Sequence, residues 1–265
     1  MMNTELIIQN NLYKFSRKAS AIKGDLHYHN DYEIYYLVDG FCRYFVNNNS
    51  YIVSSGDVII IPPKVIHNTV YDKSKRSRIL ISCPKSYIPD SVITKIYENP
   101  CFRKSPDTES KVKEIFKCIE NETLIDDAFS QDAIRNKIGE LLLLLARNCN
   151  TGSEVAAKST LIEQAIDYIK HNYSLNNITL SQTAEHCFVS KEHLSRTFKK
   201  ETGCGFRKFL NIYRLKKAEA MLKAHPEYKI VDVALRCGFN DSNYFSKVYK
   251  QLYKKSPTQS KMKGE

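Results

Sequence analysis

The chain has 265 residues, enough for two domains that each bury a core. It has no apolar run of membrane-spanning length and no basic, apolar leader, so we expect a cytoplasmic protein without membrane contact. Its net charge of +11 is uneven, because residues 161–265 hold 19 Lys and Arg against 10 Asp and Glu, whereas residues 1–160 hold 21 against 19. The asymmetry predicts a near-neutral N-terminal domain joined to one that binds a polyanion.

The eight cysteines are scattered without a CxxC pair or zinc-ligand spacing. We therefore predict reduced, mostly buried thiols and no disulfide framework. The sequence also shows no nucleophile triad, phosphate-binding glycine loop or acid pair. The enzyme classes that depend on one of these three features therefore have no support in the sequence.

Short strands are predicted between residues 25 and 83. The segments EIYYLVDG, CRYFVNN, SYIVSSGDVIIIPP and RILISC are rich in Ile, Val and Tyr and are separated by turn residues such as Asp39-Gly40 and Pro62-Pro63. Several short strands joined by regular turns favour a small antiparallel barrel or jelly roll.

A constellation of polar residues lies within this segment: His27, His29, Glu33 and His67. If one extended strand runs through residues 27–33, the first three side chains share a face. The HxHxxxE spacing, followed by Gly40 and then by Gly56, Asp57, Pro62 and His67, resembles the two motifs of the cupin barrel. In metal-dependent cupins such residues are ligands, and this set suits iron, manganese, nickel or zinc. Lys64 departs from the pattern, since the second motif usually has glycine there.

Three interpretations of the constellation stay open. It binds a metal, it hydrogen-bonds a small effector in a metal-free pocket, or it is a satisfied polar remnant of an ancestral metal site. We assign His27, His29, Glu33 and His67 to effector binding and assign no metal or other cofactor.

Three helices are predicted after the strands, in DSVITKIYENP, TESKVKEIFKCIENE and residues 127–149. In the last, Ile134, Ile138, Leu141, Leu142 and Leu145 form one apolar stripe, which Leu143 and Leu144 widen beyond a single face. A helix that is apolar around much of its circumference can pack on its own domain and on a partner. We therefore expect a homodimer through residues 127–149, the alternative being a core helix only.

Residues 150–159 (NTGSEVAAKS) are small, polar and aperiodic, which is typical of a linker. The predicted organisation is an α+β chain of two domains. Residues 1–149 form a cupin-like antiparallel barrel with helices, for sensing and dimerisation, and residues 160–265 form an all-α domain that begins with the helix LIEQAIDYIKHNY.

The C-terminal domain contains one pattern twice. LSQTAEHCFVSKEHLSRTFKK begins at Leu180, and IVDVALRCGFNDSNYFSKVYKQ begins at Ile230. Each copy reads as a short amphipathic helix, a tight turn, a capping residue (Ser190 or Asp241) and a second helix with a polar, basic face. The pattern predicts two helix-turn-helix units, at about 180–201 and 230–251.

Leu194 and Phe198, then Phe245, Val248 and Tyr249, define the apolar faces of the two second helices. The opposite faces carry side chains able to reach bases and phosphates in a major groove. These candidate DNA-binding residues are Ser190, Lys191, Glu192, Ser195, Arg196, Lys199, Ser242, Asn243, Ser246, Lys247 and Lys250. Arg196 is the first choice for a base contact, and Lys199 and Lys250 for phosphates. We expect the first copy to be the better base reader and the other copy to be more backbone-directed.

The segment 206–225 between the copies is predicted to be one helix, stopped by Pro226. About 19 helical residues span about 28 Å, and successive major-groove faces of B-DNA lie about 34 Å apart. A rod of this length can seat two recognition helices in adjacent turns of one groove.

The last hundred residues resemble the AraC/XylS family of bacterial transcription regulators. The residues that carry the resemblance are Ala184, Ser190, Leu194, Ser195, Arg196, Phe198, Lys199, Thr202, Gly203, Arg214, Ala218, Ile230, Ala234, Gly238, Phe239, Tyr244, Phe245, Ser246, Ser256 and Pro257. Two departures concern the C-terminal turn. Lys254 stands where the family usually has glycine, and Gln259-Ser260-Lys261 lacks the usual aromatic-arginine ending.

The resemblance implies two helix-turn-helix units that bind double-stranded DNA and an N-terminal domain that senses a small molecule. It also leaves RNA polymerase as a candidate partner. The expected function is a sequence-specific transcription regulator rather than an enzyme. The alternative is a metal-dependent cupin enzyme with an appended helical domain.

Overall fold

The computed structural model describes residues 6–9, 13–18, 24–70, 77–148 and 160–261. They fall into two compact units, one within residues 1–24 and 28–157 and one within residues 25–27 and 158–265. The predicted linker, residues 150–159, lies outside the described residues. Its boundaries therefore stay a prediction.

The first unit is built on two antiparallel sheets. The larger sheet has the strand order β1-β2-β8-β3-β6-β9, and the smaller has the order β5-β4-β7. The bounds are β1 Leu6–Gln9, β2 Lys14–Lys18, β3 Tyr32–Asp39, β4 Phe41–Val46, β5 Asn49–Ser54, β6 Val58–Ile61, β7 His67–Val70, β8 Ser77–Cys83 and β9 Cys101–Phe102.

Three helices cover the larger sheet: α1 (Asp90–Glu98), α2 (Pro106–Ile125) and α3 (Ser130–Arg147). Ile34 and Tyr36 of β3 pack in the core that contains the helix side chains, and Tyr36 stacks on Phe116 of α2 at 4.4 Å between ring centroids. Tyr35 and Leu37 point the other way, into a second core shared with the smaller sheet. The larger sheet is therefore a middle layer with both faces buried.

The sequence predicts only part of this unit. Strands β3, β4, β5, β6 and β8 match the predicted segments to within one residue at their starts, whereas β1, β2, β7 and β9 were not predicted. The missed strands have two to five residues and include polar sequences such as KFSRK and HNTV. Their pairing with longer strands is a tertiary effect that local periodicity does not report. The antiparallel fold class is confirmed, and closure of the two sheets into a barrel stays a prediction.

The second unit is all-α. Its helices are α4 Thr160–Asn172, α5 Leu180–His186, α6 Lys191–Thr202, α7 Phe206–Ala224, α8 Ile230–Arg236, α9 Ser242–Tyr253 and α10 Pro257–Lys261. The pairs α5–α6 and α8–α9 are the two predicted helix-turn-helix units, and α7 is the predicted connecting helix of 19 residues. Sequence and structure agree here because each helix carries its own apolar stripe and its own end signals.

Arg214 of α7 connects several segments of the second compact unit. The side chain is buried, and it donates from Nε to the carbonyl oxygen of Tyr173 (2.8 Å) and from Nη2 to that of Leu175 (2.6 Å). The guanidinium also lies over the ring of Phe239, 5.7 Å from its centroid. One residue thus ties α7 to the chain after α4 and to the turn of the second helix-turn-helix.

The C-terminal departure from the family pattern leaves the turn intact. Lys254 ends α9 in the left-handed conformation (φ 59°), and its backbone N–H bonds to the carbonyl oxygen of Lys250. A lysine therefore occupies a backbone position that suits glycine. Within the described part of the chain, no helix combines the length and the hydropathy that a membrane crossing requires.

Candidate DNA-binding surface and ligand site

Helix α6 is positioned by a capping residue and two buried side chains. The Ser190 side chain accepts a hydrogen bond from the backbone N–H of His193 at 3.2 Å, which satisfies one of the first-turn donors. Leu194 and Phe198 are fully buried beneath the helix. Its opposite face is exposed at every position singled out from the sequence, which are Lys191, Glu192, Ser195, Arg196 and Lys199.

Helix α9 is positioned in the same way, but fewer of its candidate DNA-binding side chains are exposed. The Asp241 side chain accepts from the backbone N–H of Asn243 at 2.7 Å, and Phe245 and Tyr249 are buried. Of the predicted DNA-binding residues, Asn243, Lys247 and Lys250 are exposed, while Ser242 and Ser246 are half-buried. The second helix-turn-helix unit therefore presents a smaller exposed polar face than the first.

Both recognition helices open at their N-terminal ends onto one concave surface of about 830 Å³. Lys191 of α6 and Tyr244 of α9 line it, together with Arg207 and Asn211 of α7. Asn211 donates from Nδ2 to the Tyr244 hydroxyl at 2.8 Å. Neither Arg207 nor Asn211 was predicted from the sequence as a surface residue of this kind. Their i, i+4 spacing in the first turns of α7 is the signal that places both on one helix face.

The turns of the two helix-turn-helix units have similar backbone conformations. Phe188 and Gly238 both adopt positive φ (56° and 81°), and each N–H bonds to the carbonyl three residues earlier. Gly238 is required there, because an added Cβ would meet the carbonyl oxygen of Tyr173 and come within 2.8 Å of Arg214. Phe188 is 95% exposed and meets no such barrier.

In the first compact unit the structure brings together three of the four residues predicted for the ligand site, and one ligand atom each of His29, Glu33 and His67 lies within 4.8 Å of the others. The fourth residue, His27, lies in the segment 25–27, which groups with the second compact unit. The expected reason was wrong, however. Strand β3 begins at Tyr32, so His27 and His29 lie before it rather than along one strand with Glu33. Glu33 is the second residue of β3, and His67 is the first of β7.

Glu33 is the centre of this cluster. Its Oε2 lies 3.2 Å from Nε2 of His29 and 3.8 Å from Nε2 of His67, and its Oε1 accepts a 2.6 Å hydrogen bond from the Tyr44 hydroxyl. Glu33 is 5% exposed and His67 is fully buried. The strand periodicity puts Glu33 on the face of Tyr35 and Leu37, toward the smaller sheet that carries Tyr44 and His67.

The protonation equilibria of the cluster are coupled. Burial by itself would raise the pKa of Glu33, but the hydrogen bonds and charges of His29 and His67 outweigh it and hold that pKa well below its ordinary value. Burial would lower the pKa of His29, but the hydrogen bond and charge of Glu33 raise it above the ordinary value. The geometry thus favours a carboxylate that faces polar or cationic partners.

Two family models match the chain. The AraC-like ligand binding domain matches residues 16–136, and a Helix-turn-helix domain matches residues 183–262. Together they cover most of the sequence, one on each compact unit.

Curated relatives give the same picture. The HTH-type transcriptional activator RhaS of Yersinia pestis (strain Pestoides F) is 24% identical over 239 residues, which are 87% of this chain and 86% of that protein. The uncharacterized HTH-type transcriptional regulator YijO of Escherichia coli (strain K12) is 35% identical over 111 residues, which are 41% of this chain and 38% of that protein.

Solved structures are also similar. The C-terminal domain of the two-component response regulator yesN from Fusobacterium nucleatum is 33% identical and covers 39% of this chain and 99% of its own, with a TM-score of 0.37. ToxT from Vibrio cholerae O395 is 16% identical and covers 94% of this chain and 96% of its own, with a TM-score of 0.40. On the strength of the two family models and the curated relatives, this chain belongs to the AraC family of transcription regulators, with an N-terminal ligand-binding domain and a C-terminal helix-turn-helix DNA-binding domain.

Proposed function

We propose that α6 and α9 read two neighbouring major-groove segments of one operator. The observation that carries this proposal is that the N-terminal ends of both helices line one concave surface, to which Lys191 and Arg207 bring positive charge. Arg196 is exposed in the second turn of α6, where a guanidinium reaches a guanine edge by a bidentate contact. Lys199 and Lys250 are proposed phosphate contacts, and so is Arg207.

The two recognition helices have unequal roles in this proposal. Helix α6 exposes every one of its candidate side chains, whereas two of the candidates on α9 are half-buried serines. We therefore assign most base discrimination to the first helix-turn-helix unit. The second helix-turn-helix unit supplies affinity mainly through Lys247 and Lys250, which favour contacts with the DNA phosphate backbone.

The ligand-binding domain is proposed to take a small molecule at His27, His29, Glu33 and His67. The residues are preorganised, since Glu33 is held by Tyr44 and faces two imidazoles within 4 Å. Occupancy of this site is proposed to change the affinity of the C-terminal domain for DNA. No catalytic step is proposed for the cluster, since the named relatives are transcription regulators.

A homodimer through residues 127–149 is proposed as the working assembly. Helix α3 buries the predicted stripe, and Leu143 remains 37% exposed beside a groove shared with α2. That groove carries Lys137 and Glu140, which pair with each other at 2.9 Å within α3, so the same surface presents charges of both signs to a two-fold related copy. A cytoplasmic location and a contact with RNA polymerase complete the proposal.

The test is selection of genomic fragments of the source organism by the purified full-length chain, followed by anisotropy titrations on the recovered site and on random DNA. The expected result is an affinity for the recovered site at least about 1,000-fold above that for random sequence. Equal affinity for both would overturn the proposal that the chain reads sequence. The enzyme alternative has no specific observation in its favour.

A further inference from the structure

Tyr244 is the third residue of α9 and lines the concave surface between the recognition helices. Its side chain is 37% exposed, and the centroid of its ring lies 6.3 Å from that of the buried Phe239 ring. Its hydroxyl accepts a hydrogen bond from Nδ2 of Asn211 at 2.8 Å. Both the ring and the hydroxyl are therefore held in place by residues of the second compact unit.

The contact with Asn211 decides what the Tyr244 hydroxyl can do next. A tyrosine hydroxyl has one hydrogen to donate and lone pairs with which it accepts. Because the oxygen accepts from the Asn211 amide, its own hydrogen is left for an acceptor elsewhere. Among the described residues, no acceptor takes that hydrogen. The concave surface thus presents a positioned donor to solvent or to a ligand.

The ligand that suits this donor is an anion. The charged residues that line the concave surface are three cations, Lys191, Arg207 and Arg214, against one carboxylate, that of Asp241. Arg207 and Asn211 are four residues apart and share one face of α7. A phosphate oxygen accepts hydrogen bonds and carries negative charge, so it matches both the hydroxyl hydrogen and the neighbouring cations.

The place of Tyr244 on α9 favours the DNA backbone over the bases. Each residue turns an α-helix by about 100°, so Asn243, Lys247 and Lys250 form one exposed stripe. Tyr244 lies about a quarter turn from that stripe, on the side of α9 that contacts Asn211 of α7. When the stripe enters a major groove as proposed, Tyr244 faces the wall of that groove, which consists of sugars and phosphates.

We infer that the Tyr244 hydroxyl donates a hydrogen bond to a DNA phosphate between the two major-groove segments, and that Asn211 is a positioning residue that directs this donor. The inference rests on the proposed function, in which the concave surface faces DNA. Tyr244 was not among the DNA-binding residues predicted from the sequence. Its contact is uncharged and independent of base sequence, which distinguishes it from the charged phosphate contact proposed for Arg207.

The experiment measures the affinity of the full-length chain for the recovered operator and for random DNA by anisotropy at several salt concentrations. Tyr244→Phe is expected to weaken both roughly 5- to 20-fold, because one hydrogen bond to a charged acceptor is lost. The salt slope is expected to equal that of the wild type, because an uncharged hydroxyl displaces no counterion. Unchanged affinity for both DNAs, or a loss on the operator alone, would overturn the inference, since the latter would make Tyr244 a base reader.

Tyr253→Phe is the matched control. Tyr253 is also on α9 and also bonds to α7, by donating from its hydroxyl to the carbonyl oxygen of Leu215 at 3.2 Å, but it does not line the concave surface. This variant is expected to keep the wild-type DNA affinity, and thermal unfolding of both variants reports any loss of stability. Equal losses of DNA affinity in the two variants would assign the effect to packing of α9 on α7 and contradict the inference.

Asn211→Leu tests the positioning role. It is expected to weaken both DNAs roughly 3- to 10-fold in the wild-type chain and to have no further effect in the Tyr244→Phe chain, because it acts through the tyrosine hydroxyl. Additive losses in the double variant would refute that role.

Methylphosphonate replacement of single operator phosphates locates the contact. One replacement is expected to weaken the wild-type chain more than the Tyr244→Phe chain, and identical profiles for the two chains would refute the phosphate contact. The measurements on random DNA need no operator. They decide whether Tyr244 contacts DNA even when the chain fails to discriminate between sequences, so failure of the proposed operator reading and failure of this inference are separate results.

Discussion

Lys64 donates its backbone N–H to the carbonyl oxygen of His29 at 2.7 Å, and it does so from a left-handed conformation with φ of 60°. The bond connects the loop before β7, which leads to His67, with the loop before β3, which carries His29. Two segments of the ligand cluster are thus fixed by one backbone contact. The second cupin motif usually has glycine at this position, and glycine adopts positive φ without steric cost.

Two substitutions at Lys64 are expected to act in opposite directions. Lys64→Gly relieves the left-handed strain and should raise the free energy of unfolding by about 0.5 to 1 kcal/mol. Lys64→Pro removes the N–H donor and cannot adopt φ of 60°, so it should lower that free energy by about 2 kcal/mol or more. Urea denaturation measures both. Lys64→Ala is the control for charge, and a Gly variant no more stable than this control would refute the strain argument.

Much of the second unit was predictable from sequence, because helix periods and caps are local. Ser190 and Asp241 cap their helices as their positions predict, and α7 ends one residue before His225. The ligand cluster was predictable as a set but not in its geometry. Tyr44 was not predicted, because its contact with Glu33 joins residues of two different sheets. Such pairings depend on tertiary packing, and no local spacing reports them.

The equivalent turn residues Phe188 and Gly238 are expected to respond in opposite ways. Gly238→Ala places a Cβ against the Tyr173 carbonyl and Arg214, in addition to the cost of positive φ, and should destabilise the chain by about 2 kcal/mol or more. Phe188→Gly removes an exposed ring from a positive-φ position and should stabilise by about 0.5 to 1 kcal/mol. Thermal unfolding of both variants checks this. Destabilisation by Phe188→Gly would show that the Phe188 ring makes a contact of its own.

Arg196→Ala and Lys250→Ala are expected to separate base reading from phosphate binding. Arg196→Ala should cost about 1 to 3 kcal/mol on the recovered operator and relax the preference at one base pair. Lys250→Ala should weaken specific and random DNA alike and reduce the salt slope by about 1. Anisotropy at several salt concentrations measures each effect. Equal losses on operator and random DNA for Arg196→Ala would contradict its base-reading role.

Arg207 tests whether the concave surface between the recognition helices faces DNA. If its guanidinium neutralises a phosphate there, Arg207→Ala should weaken all sequences and lower the magnitude of the salt slope by about 0.9. Lys223→Ala is the control, because Lys223 is exposed at the far end of the same helix and pairs with Glu219 at 2.7 Å, outside that surface. Identical salt slopes for the two variants and the wild type would show that the concave surface does not face the DNA.

Leu143 tests the proposed dimer. Leu143→Glu puts a charge on the exposed apolar edge of α3, beside Glu140, and should shift the chain from dimer to monomer because a buried, unpaired carboxylate is costly. Sedimentation velocity of the full-length chain measures the shift. Leu235→Glu, at an exposed leucine on α8, should leave the association unchanged. Two outcomes would contradict the proposal: a wild-type chain that sediments as a monomer at tens of micromolar, or a Leu143→Glu variant that remains dimeric. Either would mean that α3 is not the dimer contact and is a core helix that packs only on its own domain.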